Sequence, residues 1–123
     1  MLEKLPLLVF VVDDEQVIAT TLAMILKNSG YRAVAYASAE AAMKAAEAES
    51  PSLLITDVNM PGMNGIDLAI RFKTLYPGCK LLLFSGHLAT VGLLQAAREL
   101  GHDFEVMAKP VHPKDLLAAI EKL

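Results

Sequence analysis

The sequence predicts an α/β fold: a doubly wound parallel sheet of five strands interleaved with five helices. Three observations carry this expectation. Apolar runs of strand length alternate with stretches of helical period almost without slack. The runs are uniformly apolar rather than alternating in polarity, as strands covered on both faces are. Acidic, hydroxyl and basic residues stand where the runs end, and a doubly wound sheet places its ligand beyond the carboxyl ends of its strands.

Each element follows in order. Leu7 to Val12 is a continuous apolar run and reads as the first strand. Val17, Ile18, Thr21, Leu22, Ile25 and Leu26 then share one helical face, and Gly30 stands where a C-terminal glycine ends a helix. A second strand spans 31–37. Ser38 is suited to cap an alanine-rich helix that runs to about Glu49, where Pro51 bars continuation. "LLIT" is the third strand, and "GIDLAIRFKTLYPG" a helix closed by Pro77 and Gly78. "KLLLFS" is the fourth strand, followed by the helical stretch "LATVGLLQAAREL" with Gly101 behind it. "EVMA" is a short fifth strand, and Pro113 and Asp115 open a last helix.

Composition excludes several classes of function. With 123 residues, the chain fits one domain able to bury roughly 60–70% of its extended surface. Its apolar fraction is 54%, and much of the excess over an average domain is alanine on helical patterns. The longest apolar run is far short of the roughly 20 residues that cross a bilayer, and the amino terminus reads as a strand, not a signal peptide. One cysteine, Cys79, excludes an internal disulfide and a cysteine metal cluster, so a reducing, cytoplasmic setting is expected. The net charge is −3 with no block of Lys or Arg, so no direct nucleic-acid contact is expected of this chain.

The chemistry lies at the strand ends. The first strand ends in Asp13, Asp14 and Glu15, the third in Asp57, the fourth in Ser85 and Gly86, and the fifth in Lys109 and Pro110. Two carboxylates about 5 Å apart repel by about 3 kcal/mol at an effective dielectric near 20. A hard divalent cation would neutralise them and keep waters free for an incoming phosphate, and Lys109 adds one positive charge. A carboxylate beside Mg²⁺, an ammonium and a hydroxyl suits phosphoryl transfer, with Asp57 as the nucleophile. No glycine-rich phosphate loop with lysine is present, which argues against direct binding of a nucleoside triphosphate.

Taken alone, Asp57 would read as a turn residue, Asp13 and Asp14 as helix caps, Lys109 as a solvated lysine and Ser85 as part of an ordinary Ser-Gly turn. In company, "VVDDE", "ITDVNMPGMNG", Ser85 and "KP" fall in order on the right strand ends. On these motifs the chain resembles, end to end, the receiver domain of two-component response regulators, of the single-domain, chemotaxis-regulator-like kind. The resemblance implies a flavodoxin-like sheet in the order 2-1-3-4-5 and makes residues 1–123 one receiver domain. It implies that Asp57 accepts phosphate from the phosphohistidine of a sensor histidine kinase or phosphotransfer protein. Mg²⁺ (or Mn²⁺) would be held by Asp14, Asp57 and the backbone carbonyl of Asn59, and by Asp13 through water. Ser85 would contact the phosphoryl group, Lys109 would pair with it, and the Lys109–Pro110 bond would be cis.

Further implications concern switching. Asn59 and His87 occupy the positions that tune how fast water removes the phosphate, so slow self-dephosphorylation fits, and otherwise the chain is not an enzyme. The family's Tyr or Phe three residues before the lysine is here Val106; the nearest ring is Phe104, and the stretch from Gly101 to Lys109 is one residue longer than usual. Helix four is more apolar than an exposed helix requires, through Leu88, Val91, Leu93, Leu94 and Leu100. With the last strand and helix it would form the surface a downstream protein reads, and a homodimer would form on phosphorylation. His102 and His112 lack ligand spacing and read as surface or turn residues, and Met60 and Met63 as loop packing. Two rival readings are an aspartyl-nucleophile phosphatase, whose Asp-x-Asp pattern ends a first strand that here ends in adjacent acids, and a phosphorylation-independent or flavin-binding module on the same fold.

Overall fold

The structure, a computed structural model, describes residues 7–86 and 90–123, with the side chains of Thr90 and Val91 left aside. His87 and Leu88 therefore lie outside the described residues. In chain order the elements are β1 (Leu8–Val12), α1 (Gln16–Asn28), β2 (Arg32–Tyr36), α2 (Ala39–Ala48), β3 (Leu53–Asp57), α3 (Gly65–Leu75), β4 (Lys80–Ser85), α4 (Thr90–Glu99), β5 (Glu105–Ala108) and α5 (Pro113–Glu121). All pairings are parallel and the strand order is β2-β1-β3-β4-β5.

The uniform apolarity of the strands has a direct structural cause. Along β1, Val9 and Val11 point to one face of the sheet, where they pack with Ala19, Leu22, Ala23 and Leu26 of α1 and Leu116 of α5. Leu8, Phe10 and Val12 point to the other, against Ala39, Ala42 and Ala46 of α2 and Leu68 and Phe72 of α3. A third cluster, Val58, Ile66, Ala69, Leu83 and Ala97, joins α3 to α4. Phe10, Phe72 and Phe84 are among the largest fully buried side chains, each contributing about 1.5–3 kcal/mol over an exposed position. Alternate residues of one strand thus feed two cores.

The helix ends are set by local chemistry. Ser38 accepts a hydrogen bond from the Ala41 amide and so caps α2. Gly30 adopts φ +97°, which lets the amides of Gly30 and Tyr31 bond back to Lys27 and Leu26 and close α1. His112 caps α5, its Nδ1 accepting from the Lys114 amide at 3.2 Å, with Pro113 in the first helical turn.

Two details of the sequence reading need correction. Leu7 precedes β1 and is exposed. On α1 the buried stripe is Ala19, Leu22, Ala23 and Leu26, while Val17 is 79% exposed and Thr21 is also exposed. The reason is geometric: this side of the helix turns from the sheet toward an open groove of about 590 Å³ shared with Phe84, Pro110, Val111 and Pro113.

Candidate functional site

Parallel register assembles the site. Val12 lies opposite Thr56, so the residues that follow, Asp13 and Asp57, leave neighbouring strands side by side. The Asp13 amide still donates to the Tyr36 carbonyl at 3.1 Å, which holds the chain in line with the sheet for one residue beyond β1. Asp13 is 1% exposed and its Oδ1 accepts from the Glu15 amide at 2.9 Å. It therefore shapes the turn into α1 as well as the acidic edge. Asp14 is exposed. Asp57, the last residue of β3, is 7% exposed and sits in register with Phe84.

On the other side Ser85 ends β4 opposite Ala108, and the Lys109 amide donates to the Ser85 carbonyl at 2.9 Å. A cis peptide bond joins Lys109 to Pro110. Lys109 then reaches back across the edge: its Nζ donates to Asp13 Oδ2 at 2.8 Å and lies 3.4 Å from Asp57 Oδ2. Residues 96 positions apart meet because their strands end on the same edge.

The electrostatics are those of an acidic site short of positive charge. Burial pushes the Asp57 carboxyl above its ordinary range; Lys109 opposes this and Asp13 adds to it, while a hydrogen bond from the Asn59 backbone amide favours the carboxylate. For Lys109, burial is the largest single influence and disfavours the ammonium, but Asp13 and Asp57 together outweigh it and raise the pKa. Carboxylate oxygens of Asp13, Asp14 and Asp57 lie within 4.8 Å of one another. Three carboxylates against one ammonium leave two negative charges, and the donors are all hard oxygens. The set fits a divalent cation of the Mg²⁺ or Mn²⁺ type.

Two residues of this edge escaped the sequence reading. Gly65 begins α3, and a Cβ there would stand 2.0 Å from the Asp57 carbonyl oxygen. The start of α3 is thus pressed onto the backbone of Asp57, and the Gly65 amide donates to the Val58 carbonyl at 2.9 Å. The signal was present in "PGMNG", where the last glycine falls at a helix start rather than in the turn. Glu40 of α2 is the second: its Oε1 accepts from the Met63 amide at 3.3 Å. Nothing in the sequence marks a contact across 23 positions.

Other residues are placed as follows. Val106 is 37% exposed on β5. Phe104 packs beside the third core cluster, stacks on His102 with centroids 6.1 Å apart, and has Lys73 Nζ 5.9 Å from its ring. The ring nearest to Lys109 in sequence is thereby turned toward α3. On α4, Ala97 is buried, Leu94 half-buried and Leu93 exposed, and Leu100, just past the helix, is exposed as well. Among the described residues no helix is long and apolar enough to cross a membrane.

Comparison with known proteins agrees with this geometry. The family model of the response regulator receiver domain matches residues 9–121. The response regulator receiver protein CpdR of Brucella abortus is 30% identical over 115 residues, which cover 94% of each chain. The alkaline phosphatase synthesis transcriptional regulatory protein PhoP of Bacillus subtilis is 34% identical over 119 residues, and there the match spans 94% of this chain but 47% of the relative. Among solved structures, a CheY-like response regulator receiver domain protein from Methanospirillum hungatei superposes with a TM-score of 0.82 at 28% identity, covering 95% of this chain and 92% of the other. The chain belongs to the response regulator receiver family of two-component systems.

Proposed function

We propose that this receiver domain accepts a phosphoryl group on Asp57 from the phosphohistidine of a sensor histidine kinase or a phosphotransfer protein. A carboxylate oxygen of Asp57 attacks phosphorus in line as the P–N bond breaks, and the donor imidazole, protonated on its other ring nitrogen, takes the bonding electron pair and leaves as neutral histidine. Asp13, Asp14, Asp57 and the Asn59 carbonyl would hold Mg²⁺ or Mn²⁺. When bound, the cation supplies positive charge against the phosphoryl oxygens. Lys109 meets part of the same charge from the side of β5, and the Ser85 hydroxyl donates to a phosphoryl oxygen. Asn59 and His87 would set how slowly water hydrolyses the aspartyl phosphate to free Asp57 and inorganic phosphate.

The observation that carries this reading is the buried Asp57 at the end of β3, held in contact with Lys109 inside a cluster of two further carboxylates. A structural ion pair would need one acid for one lysine. Here burial and like charge both disfavour the carboxylate, so charge neutralisation by a cation and a phosphoryl acceptor role explain what capping and ion pairing leave over.

Phosphorylation would then shift an equilibrium between two conformations, by the difference in contacts that the phosphoryl group makes with Ser85 and Lys109 in each. The surface of α4, β5 and α5 would carry that difference to a downstream protein or to a second copy. Residues 1–123 would act as one phosphoacceptor unit in the cytoplasm. Intact-mass spectrometry after incubation with Mg²⁺ and acetyl phosphate tests the first step. One phosphoryl adduct that requires Mg²⁺ and disappears in Asp57→Ala is expected. An unmodified wild type, with the donor intact and no phosphate released, would overturn the reading.

A further inference from the structure

The loop between β3 and α3, residues 58–64, carries Asn59, whose amide bonds to the Asp57 carboxylate. Its far end is anchored twice. The Gly65 amide bonds to Val58, and Asn64 Oδ1 accepts from the Asp67 amide at 2.9 Å as the cap of α3. The middle of the loop faces α2 instead. Met60 is 8% exposed and packs in the core cluster with Ala39 and Ala42. Gly62 turns the chain at φ +75°, and a Cβ there would lie 3.2 Å from Glu40 Oε1. The same oxygen accepts from the Met63 amide.

Glu40 is well placed to hold this position. It lies in the first turn of α2, two residues after the capping Ser38, where a carboxylate is favoured by the unpaired amides of the helix end. Its charge is therefore accommodated by α2, while Oε1 is turned toward the loop. Gly62 leaves room for that oxygen, since any side chain there would press on it at a φ that L residues rarely adopt.

We infer that Glu40 is a positioning residue for the Asp57 site: by accepting from Met63 it fixes the loop against α2 and so holds the Asn59 backbone at Asp57. The inference rests on the phosphoacceptor reading for its consequence in the reaction, but the clasp itself is a property of the loop. Two substitutions separate acceptor from charge. Glu40→Gln keeps an oxygen acceptor and loses the charge, and Glu40→Ala loses both.

The test measures two quantities on wild type, Glu40→Gln and Glu40→Ala. The first is amide hydrogen exchange at Asn59 and Met63, with neither metal nor phosphodonor present. The second is the rate of adduct formation with acetyl phosphate at a Mg²⁺ concentration below saturation. Glu40→Ala is expected to exchange faster at both amides and to react about fivefold more slowly, the order expected for the loss of one exposed hydrogen bond of ordinary strength. Glu40→Gln should lie within about twofold of wild type in both, whatever its thermal stability, since the acceptor is retained. Equal slowing in Gln and Ala would assign the effect to charge and overturn the inference, as would unchanged exchange in Ala. If wild type forms no adduct, the phosphoacceptor reading fails by itself, and exchange at Asn59 still decides whether Glu40 holds the loop.

Discussion

Asp57 is the residue on which the energetics turn. Its folded pKa is raised, chiefly by burial, so the proton is held more tightly in the folded than in the unfolded chain. The stability tied to this proton is full below the unfolded value of about 3.9 and is lost as pH rises through the folded one. At neutral pH the carboxylate is therefore a liability in the metal-free protein. Asp57→Asn should raise its Tm by about 4 °C, the shift that roughly 1 kcal/mol produces in a domain of this size, because Lys109 keeps Asp13 at 2.8 Å. Differential scanning calorimetry at neutral pH and at about pH 4 checks this, and the gain should shrink at the lower pH. Gly65 lies at the opposite extreme: Gly65→Ala places a carbon 2.0 Å from the Asp57 carbonyl oxygen, and a cost of about 3 kcal/mol or more in a urea melt is expected. Cys79 has no such role. Burial pushes its thiol up to about 11, against a weaker opposing hydrogen bond at the Leu54 backbone. Iodoacetamide at pH 8 should modify the folded chain on the order of a hundredfold more slowly than the unfolded one, and the stability tied to the protonated thiol falls as pH rises past the unfolded value of about 8.5 and is gone once it has passed through about 11.

At the scale of elements, α4, β5 and α5 stand apart from the rest. Helices α1, α2 and α3 each bury three or more residues, whereas Ala97 is the buried residue among the described side chains of α4 and Leu116 that of α5. Gly92 inside α4 has nothing within 4 Å of the place a Cβ would take. Gly92→Ala should therefore stabilise this helix by about 0.5–1 kcal/mol, read as slower amide exchange confined to α4. If phosphorylation unwinds part of this helix, the same substitution should also shift the populations of the two conformations, since only the state that keeps the helix gains. β5 carries Val106 where the family has a ring, and Phe104 is held by His102 and Lys73 on the side of α3. The switch proposed above would therefore rest on Ser85 and Lys109, without a ring at 106.

For the molecule as a whole, the alternation of apolar runs and helical periods was enough to predict five parallel strands, and the strand-end residues were enough to predict which edge is acidic. What stayed out of reach has physical reasons. Helical period places Val17 and Thr21 beside Leu22, but only the packing of α1 against α5 shows that they face a groove. Gly65 and Glu40 act through backbone contacts between distant elements, and such contacts leave no period or composition in a sequence. On the proposed reading the acidic edge would make the fold sensitive to cations as a unit: Mg²⁺ at a hundred times its dissociation constant should stabilise it by about 2.7 kcal/mol, with a much smaller effect in Asp14→Ala or with Na⁺ at equal ionic strength. The central claim, that this edge exists to phosphorylate Asp57, is tested most directly on unmutated protein by chemical mapping. An acyl phosphate on aspartate is reduced by borohydride to homoserine, so chain treated with acetyl phosphate and Mg²⁺, reduced and digested, should contain homoserine at position 57 alone. Homoserine at another aspartate, or a phosphoryl adduct that yields none, would contradict the account.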